Sequence, residues 1–207
     1  MIVASFFAPR YEVYDNCDYD ALALLLDKSC KKLGLEHVVI SDSFRPKPLK
    51  TCLTKLPENL MQAIFYGQIK FMKETNDTIL FTGADCLLTK KLGLNHDSLP
   101  DLAITTSKTF SDCEMNTGAV WVKDKEKCIK IWEEVLEKEP KDWGDDQIFL
   151  YEGIKRSNLN TLYLPCEEHN WAPSSINDDA GFPTVVHFRG KRKSFMKDWA
   201  KRYLGIE

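Results

Sequence analysis

The chain has 207 residues, of which 43% are hydrophobic, so it can bury a substantial core, and we expect one domain over residues 1–207. Its 28 basic and 31 acidic residues give a formal net charge of −3. This near balance argues against a general nucleic-acid-binding protein, because such proteins carry a strong positive excess.

The first half of the chain alternates apolar runs with amphipathic segments. Apolar runs at residues 2–7 and 38–40 predict two buried strands. Between them, Asp18 or Asp20 caps a predicted helix whose leucines follow the helical period. A second helix is predicted over residues 57–74. This β-α-β order favours neighbouring parallel strands.

A third apolar run, at residues 78–82, is rich in β-branched and aromatic residues and ends abruptly at Gly83-Ala84-Asp85. In open α/β sheets, ligands bind beyond the carboxyl ends of the strands. Asp85 is therefore our first candidate for a functional residue. An aspartate that only caps the following turn is the alternative.

The second half of the chain continues the alternation of strands and helices. Further strands are predicted at residues 102–105, 115–122, 161–164 and 184–188, the second of them entered through a turn at Asn116-Thr117-Gly118. Helices are predicted around residues 128–136, from Asp145 onward, and at 194–204. The whole pattern predicts an α/β fold with a mostly parallel central sheet flanked by helices.

The cysteines and the apolar runs indicate a cellular setting. The seven cysteines are scattered and form no Cys-x-x-Cys pair, so neither a disulfide framework nor a zinc site is indicated. We expect a cytoplasmic protein, or one of the host cytoplasm if a virus encodes it. The N-terminal apolar run is too short for a signal peptide, and we expect no transmembrane segment.

Several kinds of site are excluded by their missing motifs. The sequence has no Gly-x-Gly-x-x-Gly after its first strand, no phosphate-binding P-loop motif and no Gly-x-Ser-x-Gly elbow. An anionic ligand on such a sheet would need a binding group other than a glycine-rich loop. A divalent metal held by carboxylate and imidazole, assisted by Lys and Arg, is the alternative.

Four motifs occur in an order that resembles the nucleotide-diphospho-sugar transferases of the GT-A fold, in particular their glycogenin-like and galactosyltransferase-like branch. The motifs are Gly83-Ala84-Asp85, Asn116-Thr117-Gly118-Ala119-Val120, Asp145-Asp146-Gln147 and His187-Phe188-Arg189-Gly190-Lys191. The resemblance implies transfer of a sugar from a nucleotide-sugar donor, a UDP-sugar foremost, to a hydroxyl acceptor. It also implies Mn²⁺ or Mg²⁺ as cofactor and favours retention of configuration.

The resemblance implies a metal site and a diphosphate site. Asp85 matches the second acid of the family's Asp-x-Asp motif, while Gly83 replaces the first acid and cannot bind metal. His187 matches the second metal ligand, although a strand-end histidine that is only hydrogen-bonded is the alternative. Residues matched to donor and diphosphate binding by the first and last motifs are Ala84, Gly190, and Lys191 with Arg192 or Lys193 beside it.

The remaining motifs imply contacts with the sugar, the acceptor and the base. The small residues Asn116, Thr117 and Gly118 would let the donor sugar approach the backbone. Asp146 with Gln147 aligns with the element near the sugar, and Asp145 could be a general base for the acceptor hydroxyl. Acids at a helix start are also favoured by the helix dipole alone. Residues matched to the nucleoside are Ala8, Arg10 and Asp42.

The acceptor is left open by the sequence. Residues 189–202 contain seven basic side chains and one acidic side chain, a net charge of +6. This indicates either a surface for a polyanion or a diphosphate site followed by a solvated helix face. A hydroxylated base in modified viral DNA is one candidate acceptor. Two alternatives to sugar transfer remain, a catalytically silent sugar-nucleotide-binding module and a nucleotidyltransferase. The sequence does not predict the oligomeric state.

Overall fold

The computed structural model describes residues 1–9, 17–43, 49–93, 98–110, 113–142, 144–179 and 181–207. Arg10, predicted to contact the nucleoside, lies outside the described residues. The strands are β1 (Ile2–Phe6), β2 (Glu36–Ser41), β3 (Thr51–Leu53), β4 (Ile79–Gly83), β5 (Cys86–Leu88), β6 (Leu102–Phe110), β7 (Cys113–Val122), β8 (Thr161–Pro165) and β9 (Val185–His187).

Helices connect most of these strands. They are α1 (Tyr19–Lys32), α2 (Leu60–Glu74), α3 (Lys125–Glu137), α4 (Asp145–Arg156), the short α5 (Cys166–His169) and, after a 3₁₀ segment at Gly190–Phe195, α6 (Met196–Trp199) followed by a π-helical turn at Ala200–Leu204. Among the described residues, no helix is both long and apolar enough to span a membrane.

Within the described chain, seven strands form the central sheet in the order β3-β2-β1-β4-β7-β6-β8. The pairs β1–β2, β1–β4, β2–β3 and β6–β8 are parallel, whereas β7 runs antiparallel to both β4 and β6. The predicted mostly parallel sheet flanked by helices is therefore confirmed. A separate antiparallel pair, β5 with β9, lies beyond the carboxyl end of β4.

The helix starts follow the chemistry of their capping residues. Asp18 caps α1, since its carboxylate accepts a hydrogen bond from the amide of Ala21 at 3.0 Å. The second helix begins later than predicted from Pro57, because Asn59 accepts from the amides of Met61 and Gln62 and so defines the first turn of α2.

The segment Asn116-Thr117-Gly118 does not form the predicted turn. It lies inside β7, at a register shift in which Ile104 pairs with Val120 while Thr105 pairs with Asn116. Residues 117–119 of β7 lie between these two consecutive pairs as extra residues, and extra residues on one strand form a β-bulge. The bulge turns this part of β7 toward the carboxyl end of β4, where the hydroxyl of Thr82 donates to the carbonyl of Gly118 at 3.1 Å.

The core lies on both faces of the sheet. On one face, Phe65 and Ile69 of α2 pack with Trp132 and Val135 of α3 against the sheet. The other face is covered by α1 and the β5–β9 pair, and the C-terminal segment, whose Trp199 is 2% exposed, packs on these elements. Because both faces are covered, ligands reach the sheet at its strand ends.

A polar chain is buried beneath the second face. The hydroxyl of Ser5 lies 2.9 Å from Nε2 of His37, and Nδ1 of His37 lies 3.7 Å from the carboxylate of Asp27. Lys31 pairs with the other oxygen of Asp27 at 2.6 Å. Burial raises the pKa of Asp27, but the hydrogen bonds and charges of His37 and Lys31 outweigh burial and hold that pKa below its usual value.

We expect Asp27→Asn to lower the free energy of unfolding at pH 7 by about 1–3 kcal/mol, because the variant loses charge-assisted hydrogen bonds in a buried position. The folded pKa of Asp27 is depressed, so its contribution is present above the unfolded value of about 3.9 and is lost as the pH falls below it. Urea titrations from pH 7 down to pH 3 measure this. The exposed acid in Glu36→Gln is the control, and an equal loss in both variants would contradict the expectation.

Candidate functional site

A cavity of about 390 Å³ opens at the carboxyl ends of β1 and β4. These ends lie side by side, since Phe6 pairs with Gly83. The lining comes from five segments of the chain, at residues 6–8, 82–85, 116–118, 146–147 and 187–193, together with an inner apolar part described below. The structure therefore brings the four sequence motifs together around one cavity.

Asp85 and His187 meet because of how the chain leaves β4. It turns through Ala84 and Asp85 into β5, and Cys86 of β5 pairs with His187 of β9. Nε2 of His187 then lies 3.4 Å from Oδ1 of Asp85, and both side chains are 14% exposed. The amide of Phe188 donates to the backbone carbonyl of Asp85 at 2.8 Å and holds the two segments in register.

Lys193 supplies a fixed positive charge to this pair. Its ammonium lies 3.6 Å from Oδ2 of Asp85 and 5.4 Å from the ring centre of Tyr19. Burial raises the pKa of Asp85, but the charges of His187 and Lys193 and a hydrogen bond from His187 outweigh burial, so the pKa is held below its usual value. Asp85 is therefore ionised at neutral pH.

Two glycines let these side chains lie against the backbone. A Cβ atom at Gly83 would be 2.4 Å from Oδ1 of Asp85, and one at Gly118 would be 2.5 Å from Nδ1 of His187. Both distances are far below normal contact distances. Gly83, which replaces the family's first acid, thus occupies a position where any side chain would displace Asp85.

A buried amide network determines the orientation of His187. Asn170, 1% exposed, donates from Nδ2 to Asn116 Oδ1 at 2.6 Å and to the Thr105 hydroxyl oxygen at 3.2 Å. Asn116 Oδ1 is an acceptor, because the amide of Gly118 also donates to it at 2.9 Å. The Asn170 carbonyl oxygen must therefore face Nδ1 of His187, which lies 3.2 Å away.

This network assigns the tautomer of His187. The Asn170 oxygen only accepts, so Nδ1 of His187 carries a hydrogen and Nε2 is the nitrogen that faces Asp85. Nε of Arg189 lies 3.4 Å from the same Nδ1, and it is also a donor. This contact is therefore a close approach of two donors, and the Asn170 contact determines that Nδ1 carries a hydrogen. A histidine held in this way is typical of a metal ligand.

The donor atoms fit a divalent ion held by two protein ligands. Asp85, Cys86 and His187 each offer one ligand atom, all within 4.8 Å of one another. Burial raises the pKa of the Cys86 thiol far above its usual value, so it stays protonated and is a poor ligand. One carboxylate and one imidazole remain, a mixed oxygen and nitrogen set suited to an ion whose other positions are filled by a ligand or water.

The structure places Lys193 at the cavity rather than Lys191 or Arg192. Lys193 and Gly190 line it, whereas Lys191 is exposed and borders a separate groove beside α1. Arg192 is not among the described residues that line either space. The sequence contained the signal: the late motif of the family that the sequence resembles is His-Phe-x-Gly-x-x-Lys, and counted from His187 its lysine falls at Lys193.

Asp145 and Asp146 have different surroundings. Asp145 Oδ2 accepts from the amides of Lys141 and Asp142 at 3.1 and 2.9 Å, and these bonds lower its pKa. It caps the loop before α4 and is not among the described lining residues of the cavity. Asp146 does line the cavity, and burial raises its pKa. Of the two acids, the structure therefore puts Asp146 at the site.

The other predicted residues divide in the same way. The cavity is lined by Ala8, Ala84, Asn116, Thr117, Gly118 and Gln147. Gln147 is 7% exposed and accepts from the amide of Thr117 at 3.2 Å, which ties α4 to the β7 bulge. Asp42 follows β2 and is not among the described lining residues.

Sequence reasoning missed Asn170, Arg189 and Tyr19. Asn170 stands in an irregular loop with no periodic pattern, and its role depends on neighbours far away along the chain. Arg189 and Tyr19 line the cavity, and the Tyr19 ring stacks on Phe7 with ring centres 5.8 Å apart. No motif marks Asn170 or Tyr19, and Arg189 stands inside the last motif without a role assigned to it, so only the fold reveals their positions.

Comparison with known proteins establishes the fold. No protein-family model matches the sequence, and no curated protein matches it. Solved structures do match. A glycosyltransferase involved in the glycosylation of the major capsid of PBCV-1 has a TM-score of 0.64 and 14% identity, covering 96% of this chain and 99% of its own.

Two further solved structures match over nearly all of this chain. The galactosyltransferase LgtC, solved with donor and acceptor sugar analogs, has a TM-score of 0.58 and 11% identity over 97% of this chain and 95% of its own. GlyE of Streptococcus pneumoniae TIGR4 has a TM-score of 0.60 and 11% identity over 96% of this chain and 59% of its own. The chain therefore has the GT-A fold of nucleotide-diphospho-sugar glycosyltransferases, as the sequence predicted.

We expect Asn170→Ala to weaken Mn²⁺ binding about 10- to 100-fold, the usual effect of removing a partner that orients a metal-binding histidine. Isothermal titration calorimetry with MnCl₂ measures this. Thr105→Val removes the hydroxyl that accepts from Asn170 but leaves the contact between Asn170 and His187, so its effect on Mn²⁺ binding should be smaller. Equal losses in both variants would show that the network acts only through stability.

Proposed function

We propose that this protein is a glycosyltransferase that moves a sugar from a nucleotide-diphosphate donor, most simply a UDP-sugar, to a hydroxyl acceptor. The observation that carries the proposal is the convergence of Asp85, His187 and Lys193 with Asn116 and Asp146 around one cavity at the strand ends. The GT-A fold supports it, and so does the glycosyltransferase activity named for the matched structures.

The diphosphate would bind at the basic end of the cavity. Lys193 and Arg189 both line it, Lys193 with its ammonium beside the Asp85 carboxylate and Arg189 with its guanidinium beside the His187 imidazole. Charge-assisted contacts from these groups would hold the phosphate oxygens and would stabilise the charge that develops on the departing diphosphate. The nearby rings of Phe7 and Tyr19 would then lie on the nucleoside side.

Asp85 and His187 would hold the Mn²⁺ or Mg²⁺ ion, His187 through Nε2. When bound, the ion would supply positive charge to the phosphate oxygens as a Lewis acid. Because Gly83 provides no second carboxylate, we expect the ion to bind more tightly with the nucleotide than alone.

The sugar would lie between the β7 bulge and the start of α4. Gly118 lines the cavity, although the His187 imidazole fills the space beside its Cα atom, and Asn116, Asp146 and Gln147 supply polar groups. In the reaction, the bond between the anomeric carbon and the diphosphate oxygen breaks, a bond to the acceptor oxygen forms, and the hydroxyl proton of the acceptor passes to the departing diphosphate. Asp146 is the described carboxylate on this side, and we assign it the contact with the reacting sugar. The late histidine motif favours retention of configuration.

The basic C-terminal segment supports a polyanionic acceptor less strongly than its net charge suggests. Lys193 faces Asp85, Lys201 pairs with Glu207 at 3.0 Å, and Arg202 donates to Asn177. These charges serve contacts within the protein. A hydroxylated base in modified DNA stays a prediction of the sequence, testable by salt-dependent binding of such DNA.

Nucleotide binding to the cavity can be measured directly. Calorimetric titration with UDP, GDP and CDP, with and without Mn²⁺, should show metal-dependent binding of one diphosphate. Lys193→Ala should weaken that binding about tenfold or more, because it removes a charge-assisted contact. Lys191→Ala is the matched control, since Lys191 is exposed and outside the cavity, and its effect should stay within about twofold.

Either of two results would count against transfer. Binding that is indifferent to metal, with no hydrolysis or transfer of the donor sugar, would favour the silent sugar-nucleotide-binding module. No binding of any of the three diphosphates to folded protein would overturn the proposal.

Substitutions at the two neighbouring acids distinguish their roles. Asp146→Asn should lower donor turnover by about 100-fold or more while changing donor affinity little, if Asp146 acts on the reacting sugar. Asp145→Asn should lower thermal stability and leave turnover per folded molecule close to that of the wild type, because Asp145 only caps the loop. Donor hydrolysis and thermal melting measure these effects, and the reverse pattern would exchange the roles.

A further inference from the structure

The cavity continues past the polar residues into an apolar part, which we call the inner lobe. The inner lobe is lined by Leu60, Ile64, Phe65, Val120, Trp132 and Leu150. These side chains come from α2, β7, α3 and α4, so the lobe lies against one face of the sheet, beneath α2. Its lining is apolar, whereas the diphosphate end is lined by the charged side chains of Lys193 and Arg189.

The inner lobe begins where the proposed sugar side ends. Leu150 follows Asp146 by four residues on α4, which places both on the same helix face. Val120 of β7 also lines the lobe and directly follows the β7 bulge. The lobe is thus continuous with the sugar side at Asp146. The group that reaches it is therefore a substituent of the sugar.

The indole nitrogen of Trp132, a polar group of the inner lobe, is already paired. The indole nitrogen of Trp132 donates to Oε1 of Gln68 at 2.7 Å, and Gln68 also lines the cavity. The other lobe residues named above have aliphatic or phenyl side chains. A hydroxyl group placed against them would give up its bonds to water without replacement, whereas a methyl group would gain by leaving water.

We propose that the inner lobe binds a methyl-bearing substituent of the donor sugar. Two sources share this chemistry, the C6 methyl of a 6-deoxyhexose and the acetyl methyl of an N-acetylhexosamine. This inference rests on the proposed function and names its substrate class. A plain hexose places a hydroxymethyl or hydroxyl group where these sugars carry the methyl.

The test compares donors that share one nucleotide and differ in one group. UDP-glucose, UDP-6-deoxyglucose and UDP-N-acetylglucosamine are titrated into the protein, with UDP alone as the reference. We expect one of the two methyl-bearing donors to bind about tenfold or more tightly than UDP-glucose, the usual effect of matching one small apolar group to its pocket. Which one binds more tightly identifies the source of the methyl group. If GDP is the preferred diphosphate, GDP-mannose and its 6-deoxy analogue GDP-rhamnose form the matched pair.

Two variants at one position test whether the inner lobe causes the preference. Ile64 lines the lobe and is only partly buried, so it tolerates substitution better than its fully buried neighbours. Ile64→Val and Ile64→Thr have nearly the same shape and differ by a methyl against a hydroxyl. The threonine variant should lose most of the preference for the methyl-bearing donor, and the valine variant should keep most of it. UDP affinity reports an intact nucleotide site in both.

The outcomes separate this inference from the proposed function. If UDP binds and UDP-glucose binds as tightly as both methyl-bearing donors, the inference is overturned while the proposed function stands. An unchanged preference in Ile64→Thr would likewise remove the inner lobe as its cause. If no nucleoside diphosphate binds, both are overturned together.

Discussion

The pairing of β5 with β9 is the constraint on which the candidate site depends. It joins the turn after β4 to a segment near the end of the chain and so places Asp85 beside His187. The 3₁₀ segment that follows β9 then brings Lys193 back over the Asp85 carboxylate. Without this pairing, the carboxylate at the tip of β4 would have no imidazole and no ammonium group beside it.

The buried amide of Asn170 makes that arrangement specific. A histidine beside a carboxylate can rotate and exchange tautomers, but Asn170 has two fixed acceptors for its Nδ2 group and so presents its oxygen to His187. Buried polar networks of this kind are costly unless every member is paired, and here the pairing orients the histidine. The β7 bulge contributes through Gly118, which leaves the imidazole room to lie on the strand.

The cavity has a charged part and an apolar part. Lys193, Arg189, Asp85 and Asp146 line the charged part, and the inner lobe around Trp132 is apolar. A nucleotide sugar has the matching order, with its charge on the diphosphate and its less polar substituents on the sugar. Under the proposed function, the cavity would orient such a donor by desolvation cost as well as by direct contacts.

The sequence by itself determined the alternation of strands and helices, the mostly parallel sheet and the position of Asp85 at a strand end, because periodicity and caps act over a few residues. It also contained the motif order, including Lys193 at the correct spacing from His187. Only the tertiary structure decided which of Asp145 and Asp146 faces the cavity, that Asn116 to Gly118 form a bulge, and that Asn170 orients His187. These features depend on contacts between residues far apart along the chain, and local sequence patterns carry no information about such contacts.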